Sequence, residues 1–142
     1  AAQALGIAEG AFEYALNYAH TRKQFDKPIS SFQAVSHMLA DMATSIEACR
    51  TLIYTTAQMI DNGGGKNLSK VSSMCKVLAS DVAMKVTTDA IQILGGYGYM
   101  KEYPVEKMMR DAKITQIYEG TNQIQRNVIA TELIKELVSQ KH

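Results

Sequence analysis

Residues 32–60, FQAVSHMLADMATSIEACRTLIYTTAQMI, decide the fold class of this chain. Apolar or small residues recur along this stretch at alternating steps of three and four. The mean spacing of about 3.5 residues is typical of the apolar stripe of a helix in a bundle or coiled coil. We therefore predict a single helix of about 45 Å. Its stripe consists of Phe32, Val35, Leu39, Met42, Ile46, Cys49, Ile53, Thr56 and Ile60.

Both ends of this helix carry sequence signals. Ser30, with Gln33 three residues later, matches a capping box and predicts the start of the helix. Gly63-Gly64-Gly65 predicts its end, because glycine accepts the left-handed conformation of a helix cap at little cost. Asn67 is then the expected N-cap of a third helix, which Gly95-Gly96 ends. The stripe of that helix is Val71, Cys75, Leu78, Val82, Val86, Ala90 and Ile93.

Three further helices complete the pattern. A first helix runs from Ala1 to about Thr21, and a short one from Val105 to about Ala112 follows Pro104. Thr121 or Asn122 caps a last helix. No strand pattern is found, so we predict an all-α chain: one domain over 1–142, an antiparallel up-down four-helix bundle with a short extra helix near 105–112. The first stripe is Leu5, Ala8, Phe12, Ala15, Leu16 and Ala19, and the last is Ile124, Val128, Thr131, Ile134 and Val138.

Composition excludes several classes of protein. The 142 residues, 46% of them hydrophobic, suffice for one core, and a net charge of +1 gives no reason to expect nucleic acid as a partner. Cys49 and Cys75 are too few for a disulfide framework, which favours a reducing compartment. No uncharged apolar run is long enough to cross a bilayer. Ala1 opens directly into a helical pattern without a start methionine, so we expect a fragment of a longer protein.

The sequence does not support a metal site in the bundle. A di-iron centre needs glutamates and a Glu-x-x-His pair on facing helices, but Asn17 precedes His20 and Ala34 precedes His37 at that spacing. The two cysteines lie on apolar stripes and are expected to be packing residues. We therefore predict no metal.

Three features could carry chemistry, and the residues alone leave each of them open. Arg22 lies where a cation complements the helix dipole, and it could also bind a phosphate. The stretch Gln92–Gly96 could end a helix, or it could offer bare glycine backbone and an amide to a flat ligand. Glu119 lies in a break before a helix N-terminus. By itself it is more readily an exposed acid than a general base.

Several motifs together resemble the C-terminal domain of acyl-CoA dehydrogenases. Arg22–Ile29 followed by Phe32-Gln33 is similar to the turn between the first two helices of that domain. The remaining motifs match its signature in order and spacing, and the resemblance covers essentially the whole chain. They are Gln92–Gly96, Tyr97-Gly98-Tyr99, Tyr103-Pro104-Val105, Arg110-Asp111-Ala112-Lys113 and Ile117–Gln125.

The resemblance implies a flavoenzyme with an N-terminal helical domain, a middle β-domain and this bundle, usually assembled as a tetramer. Such enzymes use FAD to introduce a trans-2,3 double bond into an acyl-CoA thioester, here most simply one with a short or medium straight chain. Their electrons usually leave through an electron-transferring flavoprotein. The expected location is the bacterial cytoplasm or the mitochondrial matrix.

The resemblance also assigns roles to residues and reverses the interpretation of Glu119. Glu119 matches the base that removes the α-proton while the β-hydride passes to flavin N5, and Gly120 would lie beside the thioester. Two further groups match FAD-contacting positions. Those for the FAD of a neighbouring subunit are Arg22, Gln33, Gln92, Ile93, Leu94, Gly95 and Gly96. Those that hold the flavin near the active site are Thr121, Asn122 and Gln123.

One departure and several alternatives follow from the resemblance. The family commonly has glycine where this chain has Asp26, and aspartate tolerates left-handed backbone geometry, so we expect the turn to persist. An acyl-CoA oxidase or a dehydrogenase of carrier-protein thioesters would share the fold. As a 142-residue piece, the chain could also be only a structural or oligomerisation bundle, inactive alone and binding FAD weakly or not at all.

Overall fold

The computed structural model describes residues 1–140, which are mainly helical, with one short two-stranded ribbon. The predicted all-α class is confirmed. The elements are α1 (Ala2–Thr21), β1 (Lys23–Gln24), β2 (Lys27–Pro28), α2 (Gln33–Asp61), α3 (Leu68–Leu94), α4 (Gly96–Tyr99), α5 (Val105–Thr115) and α6 (Asn122–Ser139). Helix α5 extends three residues beyond the predicted end at Ala112. No helix within residues 1–140 has the length and apolarity needed to span a membrane.

The four long helices form the predicted up-down bundle. Ala2 at the start of α1 lies near Ala57 at the end of α2, and Glu13 lies near Ala43, so these two helices are antiparallel. Lys70 at the start of α3 pairs with Glu136 near the end of α6, which makes that pair antiparallel as well. Helix α3 is the central helix, since it packs against α1, α2, α5 and α6.

The core is centred on the contact between α1 and α3. Small side chains line both helices there, and small residues allow two helices to approach closely. All of them are at most 2% exposed. They are Ala4, Ala8, Ala11, Ala15 and Ala19 on α1, and Ala79, Ala83, Val86 and Ala90 on α3.

Helix α2 buries most of its predicted stripe. Leu39, Met42, Ile46, Cys49 and Thr56 are buried, whereas Ile60 is 53% exposed in the last turn, where no other helix covers it. Leu16, predicted on the stripe of α1, is likewise 41% exposed. Both cysteines are buried free thiols, so their predicted role in packing is confirmed.

The predicted capping box at Ser30 and Gln33 is wrong. Residues 29–31 form a 3₁₀ turn, and α2 begins only after Phe32, whose side chain cannot cap it. The reason is the preceding ribbon: the Ile29 amide donates to the Arg22 carbonyl at 2.8 Å and holds the chain in a hairpin. Within that hairpin Phe25 and Asp26 have φ values of 52° and 61°, so the expected left-handed turn at Asp26 is confirmed.

Other helix ends follow the sequence more closely. Gly63 and Gly64 have φ values of 89° and 72° and end α2 as predicted. Asn67 occupies the N-cap position of α3, although its side chain makes no capping hydrogen bond. Thr121 caps α6 by accepting a hydrogen bond from the Ile124 amide at 3.3 Å.

The predicted stripe of α6 does not face the bundle. Ile124, Ile134 and Val138 are 53%, 63% and 54% exposed, while Asn122 is 3% exposed. Polar contacts set the rotation of this helix, because Asn122 bonds to α3 at one end and Glu136 bonds to Lys70 at the other. Most apolar residues of α6 therefore face outward, whereas Val128 and Ile129 are half-buried.

Candidate active site

Glu119 lies in the connection 116–121 between α5 and α6. Its φ is 55° and that of Gly120 is 84°, so two successive residues adopt the left-handed conformation. The carbonyl of Glu119 accepts a hydrogen bond from Gln125 Nε2 at 3.1 Å. The positive φ favours glycine at position 120, and a Cβ atom there would lie 2.7 Å from the same nitrogen, so Gln125 would also have to move. The side chain of Glu119 is exposed at this bend.

Both ends of the connection are attached to Asp81 of α3. Asp81 Oδ1 accepts from Gln116 Nε2 at 2.7 Å and from Asn122 Nδ2 at 2.8 Å. Asp81 Oδ2 accepts from Arg126 Nη2 at 2.8 Å. The backbone N–H of Asn122 also donates to the backbone carbonyl of Gln116 at 3.0 Å, so the two ends of the connection are hydrogen-bonded to each other.

Asn122 is the buried centre of this arrangement. Its Oδ1 accepts from Lys76 Nζ at 2.6 Å, and its side chain also bonds to Ser80 Oγ. We call the polar group that joins α3 to the connection the Asp81 cluster. It comprises Lys76, Ser80, Asp81, Gln116, Asn122 and Arg126.

The structure places the three predicted flavin-holding residues differently from one another. Asn122 faces α3, Thr121 is half-buried at the N-cap, and Gln123 is exposed. Sequence reasoning identified Asn122 but missed its partners on α3. Its only signal was the spacing of Lys76 and Ser80, one helical turn apart, beside an otherwise apolar stripe.

A small cavity of about 140 Å³ adjoins Glu119. Lys76 and Ser80 supply polar atoms to its wall, and burial lowers the pKa of Lys76, an effect that the nearby Asp81 carboxylate opposes. Tyr118 contributes to the wall and donates its hydroxyl to Gln3. The cavity wall therefore includes polar groups, one of them a partly buried amine. The remaining lining residues are Ala1, Ala4 and Thr115.

A second pocket, of about 500 Å³, lies where α1 ends. It brings Arg22 together with four residues of the predicted segment, Ile93, Leu94, Gly95 and Gly96. Its volume falls in the range typical of small-molecule sites. Gln92 and Gln33 do not line it, and both are exposed. The lining residues that sequence reasoning missed are Tyr18, Gln24, Ile29, Tyr97 and Met100.

The backbone at Gly95 and Gly96 is unusually accessible. Gly95 has φ 62° and ψ −136°, a conformation that is open essentially to glycine alone. A Cβ atom on Gly96 would meet no atom within 4 Å, so space lies directly beside this peptide. Tyr97 borders the same space and stacks on Tyr103 at a centroid distance of 5.2 Å. The pocket thus combines a guanidinium, a glycine backbone without side chains and an aromatic ring. These groups suit a ligand that has phosphates and a flat ring system.

The two sites are separated along α1. Ala4 lines the cavity at Glu119, and Tyr18 lines the pocket at Arg22. The distance between them is about 21 Å at a rise of 1.5 Å per residue. The Glu119 and Arg22 sites therefore lie near opposite ends of the bundle. Within residues 1–140, no group of three or more His, Cys, Asp or Glu side chains is arranged to hold a metal ion.

Comparisons with known proteins support one family. The profile of the family described as "Acyl-CoA dehydrogenase, C-terminal domain" matches residues 1–134. The chain is 58% identical over 135 residues to the cyclohexane-1-carbonyl-CoA dehydrogenase of Geobacter metallireducens. This match covers 95% of the chain but 35% of that protein, so the chain spans about a third of its length.

Two solved structures are also similar. Butyryl-CoA dehydrogenase from Megasphaera elsdenii is 53% identical with a TM-score of 0.91, over 94% of this chain and 34% of that one. A chain in a structure described as the electron transferring flavoprotein of Acidaminococcus fermentans is 57% identical with a TM-score of 0.90. That match covers 93% of this chain and 34% of the other.

Proposed function

Because the chain belongs to the acyl-CoA dehydrogenase family, as its C-terminal domain, we propose that it serves in a flavoenzyme that oxidises an acyl-CoA thioester to the trans-2-enoyl-CoA. The observation that carries the proposal is the geometry at Glu119. Glu119 has left-handed backbone geometry and lies in a connection whose two ends are hydrogen-bonded to Asp81 of the central helix α3. The two similar dehydrogenases both act on CoA thioesters by name.

Glu119 would act as the general base. An α-proton of a thioester is weakly acidic, so the carboxylate that takes it has to be close, oriented and shielded from water. The backbone that carries Glu119 is held in one conformation in this chain, whereas its side chain is exposed and therefore not shielded. We therefore assign the shielding to the bound substrate and to the other domains of a longer protein. Gly120, with no side chain, would leave room for the thioester beside Glu119.

FAD is the proposed cofactor, and when bound it accepts the hydride from the β-carbon. The pocket at Arg22 has the features needed to hold part of it: a guanidinium for phosphate and bare backbone at Gly95 and Gly96. This pocket lies about 21 Å along α1 from the Glu119 cavity. Following the family resemblance, we assign it to the FAD of a neighbouring subunit in an oligomer, proposed to be a tetramer. Thr121 and Gln123 would then face the FAD at the Glu119 site.

An electron-transferring flavoprotein is the proposed electron acceptor. The support is the similar chain in the Acidaminococcus fermentans structure described as an electron transferring flavoprotein. An acyl-CoA oxidase would instead pass electrons to oxygen. Mixing the reduced flavoenzyme with oxygen in a stopped-flow instrument separates the two, since rapid reoxidation would identify an oxidase.

The test of Glu119 uses the longer protein that carries this chain with its FAD domains. Glu119→Gln removes the basic carboxylate and keeps the size of the side chain. Acyl-CoA added without oxygen should no longer bleach the flavin absorbance, although FAD stays bound. Glu13→Gln, an exposed glutamate of α1, is the matched control and should bleach normally. Undiminished bleaching in the Glu119 variant would contradict the proposal.

A second candidate function concerns the 142-residue chain by itself. Glu119 is exposed and the outer face of α6 is apolar, which favours a structural or oligomerisation bundle that is inactive alone. Titration of the isolated chain with FAD should then show weak binding or none. A yellow preparation with one flavin per chain would exclude this candidate. Sedimentation at several concentrations should show self-association.

A further inference from the structure

One carboxylate on the central helix receives hydrogen bonds from both sides of the Glu119 connection. Gln116 lies just before the connection turns, and Asn122 and Arg126 lie just after it, yet all three donate to Asp81. Gln116 and Asn122 share the Oδ1 atom, so their amide nitrogens are brought to a single point on α3. The five residues 117–121 must therefore leave α3 near Asp81 and return to the same place.

This arrangement limits the conformations open to Glu119. A short connection with both ends fixed has few backbone solutions, and here it requires left-handed φ at both Glu119 and Gly120. For a glutamate that conformation is unfavourable and persists only where the surroundings impose it. Within residues 117–121, hydrogen bonds from Ile117 and Tyr118 to the Ile114 carbonyl support the first half alone. The second half depends on Thr121, Gln125 and the contacts of Asn122.

Burial makes the contact at Asn122 strong enough for this role. Asn122 is 3% exposed and Ser80 is 1% exposed, so their polar atoms have little access to water. A buried polar group that loses its partner keeps the full cost of having been removed from water, so these hydrogen bonds are unfavourable to break. The Asp81 cluster is therefore expected to keep one arrangement rather than exchange among several.

We propose that Asp81 is a positioning residue for the reaction: by accepting from Gln116, Asn122 and Arg126 it sets the position of the Glu119 carboxylate. Asp81 touches neither substrate nor cofactor in this scheme and acts through the connection. The inference rests on the proposed role of Glu119 as base. Displacement of a catalytic group by about 1 Å can lower a rate by up to about 100-fold, so an effect of this size is measurable.

The experiment measures flavin reduction by acyl-CoA in single turnover in the longer FAD-containing protein. Asp81→Asn removes the charge facing Arg126 and replaces one acceptor oxygen with a donor group. The rate constant for flavin reduction at saturating substrate should fall about tenfold or more, while the substrate concentration at half-maximal rate changes less than about twofold. A loss of folded protein would instead lower the amplitude and leave the rate constant unchanged.

Glu136→Gln is the matched control. It removes another ion pair between the same two helices, from Lys70 Nζ to Glu136 Oε2 at 2.6 Å, near the opposite end of α6. The rate constant of this variant should stay within about twofold of the parent. Gln116→Ala is a milder variant for use if Asp81→Asn does not fold, since Asn122 and Arg126 remain attached, and it should slow reduction about threefold.

Hydrogen exchange of the 142-residue chain gives a readout that is independent of activity. Asp81→Asn should raise exchange in residues 117–123 and leave the amides around Glu136 unchanged. If the Glu119 variant is inactive but the Asp81 and Gln116 variants keep the parent rate constant, the positioning role is wrong and the proposed function stands. If the Glu119 variant itself reduces flavin normally, the proposed function fails first.

Discussion

The carbonyl oxygen of Ile91 lies 2.7 Å from the position that a Cβ atom would occupy on Gly98. The last turn of α3 and the short helix α4 thus pack backbone against backbone. This contact fixes the direction in which the chain leaves Gly95, and with it the peptide that borders the Arg22 pocket. A methyl group at residue 98 has no space, because two of its three nearest atoms belong to the backbone of Ile91.

Gly98→Ala should therefore destabilise the chain by about 1–3 kcal/mol, since the helices would have to separate to admit the methyl group. Urea denaturation of the 142-residue chain measures the change in the free energy of unfolding. Gly96→Ala is the control two residues earlier, where a Cβ meets no atom within 4 Å. It should change stability by less than about 0.5 kcal/mol. Equal losses in both variants would show that the contact with Ile91 is unimportant.

Asn122→Ala should cost about 2–3 kcal/mol of stability, because buried Ser80 and half-buried Lys76 and Asp81 each lose a hydrogen-bond partner. Gln123→Ala, at the exposed neighbouring position, should stay within about 0.5 kcal/mol of the parent. Thermal or urea denaturation compares the two. If Asn122→Ala changed the free energy of unfolding only slightly, water would be replacing the hydrogen bonds of the amide, and the prediction would be wrong.

Arg22→Gln should weaken FAD binding to the longer protein about tenfold and reduce the dependence of that binding on salt, because a charge-assisted contact to phosphate is lost. The fold should be unaffected, since Arg22 is exposed. Lys23→Gln is the control, an exposed cation next to Arg22 that does not line the pocket. Fluorescence titration with FAD at two salt concentrations gives both quantities. Equal weakening in the two variants would indicate a general charge effect.

Cys49 should make stability depend on pH in the alkaline range. Burial raises the pKa of its thiol to about 11, from an ordinary value of 9.0. Between these values the unfolded chain has lost the proton and the folded chain keeps it, so stability falls as pH rises from about 9 to about 11. The stability advantage of the parent over Cys49→Ala should shrink across this range in urea titrations. A constant difference would contradict the raised pKa.

The sequence predicted the order of five of the six helices within residues 1–140 and the buried face of α2, because each depends on local periodicity. It missed the short helix α4 (Gly96–Tyr99), because a four-residue helix is too short to show that periodicity. It failed where distant contacts override that periodicity. Most of the predicted stripe of α6 faces outward, with Val128 half-buried, since Asn122 and Glu136 bind α3 from another face of the helix. The predicted capping box at Ser30 is absent because a hairpin forms there instead, held by the hydrogen bond from the Ile29 amide to the Arg22 carbonyl.

Glu119, Arg22 and the Gly95-Gly96 peptide could all be named from the sequence, because their motifs have a fixed order and spacing. The order of residues was therefore enough to predict the fold class and to name these candidate site residues, whose roles stay predictions. The tertiary structure alone decided which of them meet: Arg22 with Gly95, and both ends of the Glu119 connection with Asp81. The physical reason is that helix periodicity is a local property. Side chains 35 and 41 residues from Asp81 reach it only after α3, α5 and α6 have packed.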